Sequence, residues 1–168
     1  MAERRLRRCG PVTRLILPNP VHNTISEMME SYAEEAVRHA PQFGAKLDYS
    51  ESSLQILEAI LGQLQNQLPK LSVPGEGTKD PAQKQIDNAA RLWGAYFGET
   101  VRRLWGGDWG VETYPGTVAP VVSIDIGGAK LFPVMKAYRR LTQGEGENVW
   151  KFYQMVRDKV SAGTGNKQ

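Results

Sequence analysis

The chain has 168 residues, 40% hydrophobic and 23% charged, with one Cys, two His and a formal net charge of +3. That length suits a single domain, and that balance suits a packed globular fold rather than a disordered chain. One Cys and two His exclude a disulfide framework and a zinc site built from those ligands, and no apolar run approaches the roughly 20 residues of a membrane span.

The basicity is local. Residues 1–20 hold five Arg (Arg4, Arg5, Arg7, Arg8 and Arg14) against Glu3, a net of +4, so the other 16 Lys+Arg face 17 Asp+Glu, a net of −1. Residues 1–20 read as a basic flexible arm, closed by Pro18-Asn19-Pro20 because neither Pro continues a regular element. A nucleic-acid-binding domain carries its positive charge on a folded face, which the near-neutral body lacks. Nucleic-acid contact is expected only through Arg4, Arg5, Arg7 and Arg8, and a solvated, frayed terminus is the plainer reading of that arm. Residues 13–17 could form a short edge strand, and Leu15-Ile16-Leu17 is too short for a signal-peptide core of about 7–15 residues.

A single domain is expected over residues 21–160, with a disordered tail at 161–168 rich in Ser, Gly, Asn and Lys. The first helix is predicted over residues 24–40, capped by Asn23 or Thr24 and stopped by Pro41. Ile25, Met28, Met29, Tyr32 and Ala36 recur along one face of it. A second helix should run from an N-cap at Ser50 to about Leu68, with the stripe Leu54, Leu57, Ile60, Leu61, Leu64 and Leu68. Residues 70–80 read as a loop. Its Gly75-Glu-Gly-Thr-Lys79 lacks both the spacing of a phosphate loop and a preceding strand.

The third helix carries the strongest signals. Asp80 is placed to cap it, and Pro81 sits at the first helical position, where its missing N–H costs nothing. Ile86, Ala89, Ala90, Trp93, Tyr96, Phe97, Thr100, Val101 and Leu104 fall on one broad face, and Lys84, Asn88, Arg91, Glu99 and Arg102 fall opposite. Each helical Gly costs about 1 kcal/mol against Ala, so Gly94 and Gly98 imply close approach by another backbone. Gly106-Gly107 should end the helix. Residues 109–132 then read as a three-stranded antiparallel meander, its second turn at Gly127-Gly128, where both residues accept positive φ. Pro133 opens a fourth helix ended by Gly144. A fifth helix, residues 147–160, should bury Val149, Phe152, Tyr153 and Val156. Helices, then strands, then helices give an α+β class, about five helices on a small three-stranded meander.

The residue types that carry chemistry are sparse. Cys9 lies in the arm, where no base can be positioned for it, and a lone Cys suits a reducing compartment. His22 and His39 stand in no recognisable motif, and His39 suits a helix C-terminus as a cation. Glu58, Glu99, Asp108, Glu112 and Asp125 lie in apolar or aromatic segments, with solvated ion pairing as the plain expectation; Glu99 can pair with Arg102 and Arg103 one turn on. The densest cluster joins Glu99, Arg102, Arg103, Trp105 and Trp109 with Arg139 and Arg140 on the fourth helix. Trp with Arg is the composition of interface hot spots. These seven are the candidate binding residues; no catalytic residue, metal ligand or cofactor is assigned.

Leu47-Asp48-Tyr49-Ser50-Glu51-Ser52-Ser53-Leu54, the segment from Leu92 through Gly94, Tyr96, Gly98 and Glu99 to Arg102-Arg103, and Gly107-Asp108-Trp109 resemble a bacterial domain-of-unknown-function family over roughly residues 45–158. The resemblance implies a bacterial cytoplasmic protein and carries no established catalytic residues. The reading is a non-enzymatic protein-interaction module of defence, immunity or regulatory type. The apolar load on the third and fifth helices suits a homodimer as well as a fuller monomer core. The alternative is a small-ligand-binding protein or enzyme using carboxylates and Arg near the meander, with a pocket lined by Glu99, Arg102 and Arg139.

Overall fold

The computed structural model describes residues 24–68 and 81–164. The basic arm, the edge strand expected at 13–17, His22, the Asp80 cap and the loop at 75–79 lie outside the described residues.

Helix α1 (Ile25–His39) opens where Thr24, in extended conformation, accepts the backbone N–H of Glu27 on its Oγ1 at 3.1 Å. Pro41 converts its end into a 3-10 turn (Ala40–Phe43), which Gly44 closes at φ +68°. Helix α2 (Ser53–Gln67) begins two residues later than expected, with Ser52 in place of Ser50 at the N-cap position. The cause is local: Asp48 Oδ1 accepts from the N–H and the hydroxyl of Ser50 (3.0 and 2.6 Å), and Ser50 in turn accepts the N–H of Ser53 on its Oγ at 3.2 Å. Ser50 therefore caps a tight turn in front of the helix rather than the helix itself. Its buried stripe is Leu54, Leu57, Ile60 and Leu61.

Helix α3 (Pro81–Trp105) is the axis of the molecule. From Trp93 to Val101 every residue is buried, so this stretch is covered all round rather than on one face. The Gly94/Gly98 pair explains how. A Cβ on Gly94 would stand 2.5 Å from Val134 Cα, and one on Gly98 would stand 2.8 Å from Pro133 Cγ and collide with the Trp109 ring. Helix α4 (Pro133–Gln143) thus presses its first turn directly onto the α3 backbone. Leu104, expected on the core face, is 40% exposed because the last turn of α3 runs past the core.

The sheet is the expected antiparallel meander, order β1-β2-β3, with β1 Asp108–Thr113, β2 Pro120–Ile126 and β3 Ala129–Leu131. Trp109 pairs with Ile124 and Val111 with Val122 across β1 and β2. Gly127 and Gly128 turn the second hairpin at φ +60° and +89°, the two positive values that a two-residue turn needs. Helix α5 (Val149–Thr164) buries Val149 and Tyr153. It continues past Val160, so residues 161–164 are helical and not the start of a disordered tail. Among the described residues, five α-helices around a three-stranded antiparallel sheet make the fold α+β. Among the described residues no helix is long and apolar enough to cross a membrane.

Candidate functional site

The expected site begins at Glu99. Its (i+3, i+4) arginines suggest an ordinary exposed ion pair, yet the side chain is fully buried. The reason is the turn after α3. Gly107, at φ +112°, brings β1 back over the helix, and Trp109 lies across Gly98. The carboxylate is then completed from four directions. Oε1 accepts from Arg102 Nη2 (2.7 Å) and Arg103 Nε (2.9 Å); Oε2 accepts from Arg102 Nε (2.9 Å) and Trp109 Nε1 (3.1 Å). Burial pushes the Glu99 carboxyl up, but the hydrogen bonds from Arg102, Arg103 and Trp109 outweigh it and hold the group below the ordinary carboxylate value. Arg102 also reaches Glu30 at 3.4 Å, and the Arg103 guanidinium lies 3.7 Å over the Tyr49 ring.

The remaining predicted residues go elsewhere. Trp105 stacks on Tyr153 of α5 (centroids 4.8 Å apart, planes 13° apart), and Tyr153 stacks on Trp150 in turn. Arg139 donates to Tyr114 Oη at 3.2 Å and pairs with Glu147, whose other oxygen holds Lys136 at 2.6 Å. Arg140, one residue on, faces about 100° away and is only 3% exposed. It donates to Glu58 Oε1 and Gln65 Oε1, each at 2.6 Å, while Glu58 Oε2 accepts the N–H of Val149 at the start of α5. Glu58 is therefore a largely covered staple between α2, α4 and α5 rather than a solvated ion pair. The seven candidates fall into four separate settings, and Glu99 and Arg139 belong to different ones.

The Leu47-Asp48-Tyr49-Ser50 segment is likewise structural. Tyr49 sits at φ +61°, and its N–H donates to Tyr96 Oη at 2.9 Å, which also meets Ser53 Oγ at 2.7 Å. Tyr49 Oη itself is buried and has no hydrogen-bond partner among the described residues.

Sequence reasoning overlooked Arg91. It stands exposed on α3, where three clefts meet. One, a groove of about 190 Å³, is lined by Met28 and Met29 of α1, Pro120, Val121 and Val122 of β2, and Val134 and Met135 of α4. Arg91 is the only charged residue among the described residues that line it. Its guanidinium lies 5.8 Å from the Tyr32 ring centroid and pairs with no carboxylate among the described residues; Asp87, one turn back, is engaged by Gln83 at 2.7 Å. Beyond the groove, Val118 at the tip of the β1–β2 hairpin is 99% exposed. The periodicity of α1 and α4 assigns Met28, Val134 and Met135 to core faces, and nothing local marks that they meet β2 at the surface.

Comparison with protein-family models, curated proteins and solved structures finds no match for this chain.

Proposed function

We propose that the chain is a non-enzymatic protein-interaction module and that the groove between α1, β2 and α4 is its contact face. The observation that carries this reading is an apolar groove, rich in Met and Val, with one guanidinium at its edge that pairs with no carboxylate among the described residues. Interfaces enrich Met and Arg, and Met adapts its shape to a partner. The partner this groove suits is an amphipathic helix, its apolar side chains seated among Met28, Val122 and Met135 and one carboxylate held by Arg91. The bacterial cytoplasmic setting and the regulatory or defence role belong to the same proposal. Glu99 weighs against the enzyme alternative, because a carboxylate has about four acceptor sites and this one has four donors on it.

The test is a partner isolated by affinity capture, purified, and titrated against variants. Met135→Asp and Arg91→Ala are expected to weaken the complex at least about tenfold, the scale of one lost charge-assisted bond. Arg157→Ala on α5 should leave it unchanged. Equal affinity for wild type and both groove variants would refute the reading. A dimer that Met135→Asp dissolves would replace the outside partner by a second copy.

A further inference from the structure

The largest of the three clefts around Arg91 lies on the side away from β2, between the end of α1 and the first half of α3. It encloses about 460 Å³, within the roughly 300–1,000 Å³ of small-molecule sites. We propose that it binds a small aryl carboxylate, with the ring against Tyr32 and Phe43 and the carboxylate on Arg91 and Asn88.

The aromatic wall is held in place. Phe43 meets Trp93 edge to face, with centroids 5.6 Å apart and planes at 83°, and Trp93 is 2% exposed. Tyr32 lies under the Arg91 guanidinium. A flat ring entering here meets Phe43 already held against Trp93, so little freedom of that side chain is lost on binding.

The polar wall has unspent donors. Asn88 and Arg91 are one helical turn apart on α3, both exposed and both facing the cleft. Neither makes an ion pair or side-chain hydrogen bond with another described residue. A guanidinium offers a fork of N–H groups matched to a carboxylate, and the Asn amide adds a donor beside it. The opposite wall does not compete for that anion. Glu35 Oε1 lies 3.5 Å from His39 Nε2, and His39 Nδ1 faces Gln42 Nε2 at 3.1 Å. Glu35, the one acid among the described residues lining the cleft, lies on α1 beside His39, whereas Asn88 and Arg91 lie on α3. A single free cation beside aromatic side chains suits a monoanion on a ring better than a multiply charged phosphate, which calls for several cations.

The chain itself contains the comparison. Arg102 lies eleven residues beyond Arg91, which at about 100° per residue returns to the same side of the helix. Three residues before Arg102 stands Glu99, which neutralises it at 2.7 Å; three residues before Arg91 stands Asn88, which cannot. Arg91 keeps its guanidinium available because position 88 is neutral and Asp87, four residues back, is engaged by Gln83.

The experiment is calorimetric titration of the full chain with 2-naphthoate, with 2-naphthamide as its uncharged counterpart and amide chemical-shift mapping to locate the contact. Saturable binding of the naphthoate is expected, with shifts over residues 32–43 and 88–93. Arg91→Gln and the switch to the amide should each weaken binding by about tenfold or more. Asn88→Glu, which gives Arg91 a carboxylate of its own, should abolish it. Both substitutions are on an exposed helix face and should leave the fold intact. Met135→Asp, in the neighbouring groove, should leave binding unchanged, so this inference and the partner-docking reading fail separately. Absence of saturable binding at millimolar probe, equal binding of acid and amide, or loss in Met135→Asp with no loss in Asn88→Glu would each overturn it.

Discussion

Replacing Glu99 by Gln tests whether the buried carboxylate holds the α3–β1 junction together. Gln keeps the shape but has one acceptor oxygen, so two of the four donors on Glu99 would meet an amide N–H instead. In the milder orientation the oxygen stays near Arg102 Nε and Trp109 Nε1, and the bonds from Arg102 Nη2 and Arg103 Nε are lost. Hydrogen bonds to a charged group contribute about 1.5–3 kcal/mol each. The two Arg side chains are 30% and 42% exposed, so water recovers part of that. The net loss should be about 2–4 kcal/mol, or about 4–16 °C in Tm for a domain of this size. The pH dependence gives a second handle. Because the folded pKa lies below the unfolded value near 4.5, the stabilisation is fully present above that pH and is lost as pH falls through the folded pKa. Urea unfolding followed by far-UV circular dichroism should show the gap between wild type and Glu99→Gln widest at neutral pH and closing on acidification. A gap under about 1 kcal/mol at neutral pH, less than one charged hydrogen bond, or a gap independent of pH, would refute the argument.

Gly94→Ala should destabilise by about 1–3 kcal/mol, because the new methyl meets α4 backbone that cannot turn aside, even after the helix-propensity gain of about 1 kcal/mol. Gly146→Ala, with nothing within 4 Å, is the control and should stay within about 0.5 kcal/mol; equal thermal unfolding of both variants would exclude the close-approach account. Arg140→Ala should cost about 3–5 kcal/mol by leaving Glu58 charged and nearly buried. In a denaturant double-mutant cycle, Arg140→Met with Glu58→Gln should lose clearly less than the sum of the single changes, since the amide still accepts from Val149; strict additivity would mean that the pair is not coupled.

The parts of the fold that were legible are those with local causes. Pro81 and the spacing from Ile86 to Val101 identify α3, Gly127-Gly128 identifies a hairpin, and Gly94/Gly98 foretell a backbone contact. Glu99 was misread because spacing along a helix says which residues can pair, not whether the pair is covered. What covers it is Trp109, ten residues on, brought back by the turn at Gly107. The dispersal of Arg139 and Arg140 was nearer to hand, since adjacent helical residues point about 100° apart and rarely share a site. The groove needed α1, β2, α3 and α4 placed together, and no segment carries that information.

The charged residues also separate by what the packing leaves them. Arg139 and Arg140 each end on a carboxylate from another element, and Arg102 ends on Glu99 of its own helix, which Trp109 of β1 also reaches. A buried or half-buried ion pair of this kind specifies which surfaces match more than it adds stability. Once Glu99, Glu147 and Glu58 are engaged in this way, their reactivity toward a ligand is low, because a new donor must displace one already seated. Arg91 differs: the residue three before it is Asn88 instead of an acid, and Asp87, four before it, is engaged by Gln83. Its guanidinium therefore keeps its charge unspent between a 460 Å³ aromatic cleft and an apolar groove. On this reasoning recognition by this chain is to be sought at Arg91, where charge remains available, and not at the Trp and Arg cluster whose composition first suggests a site.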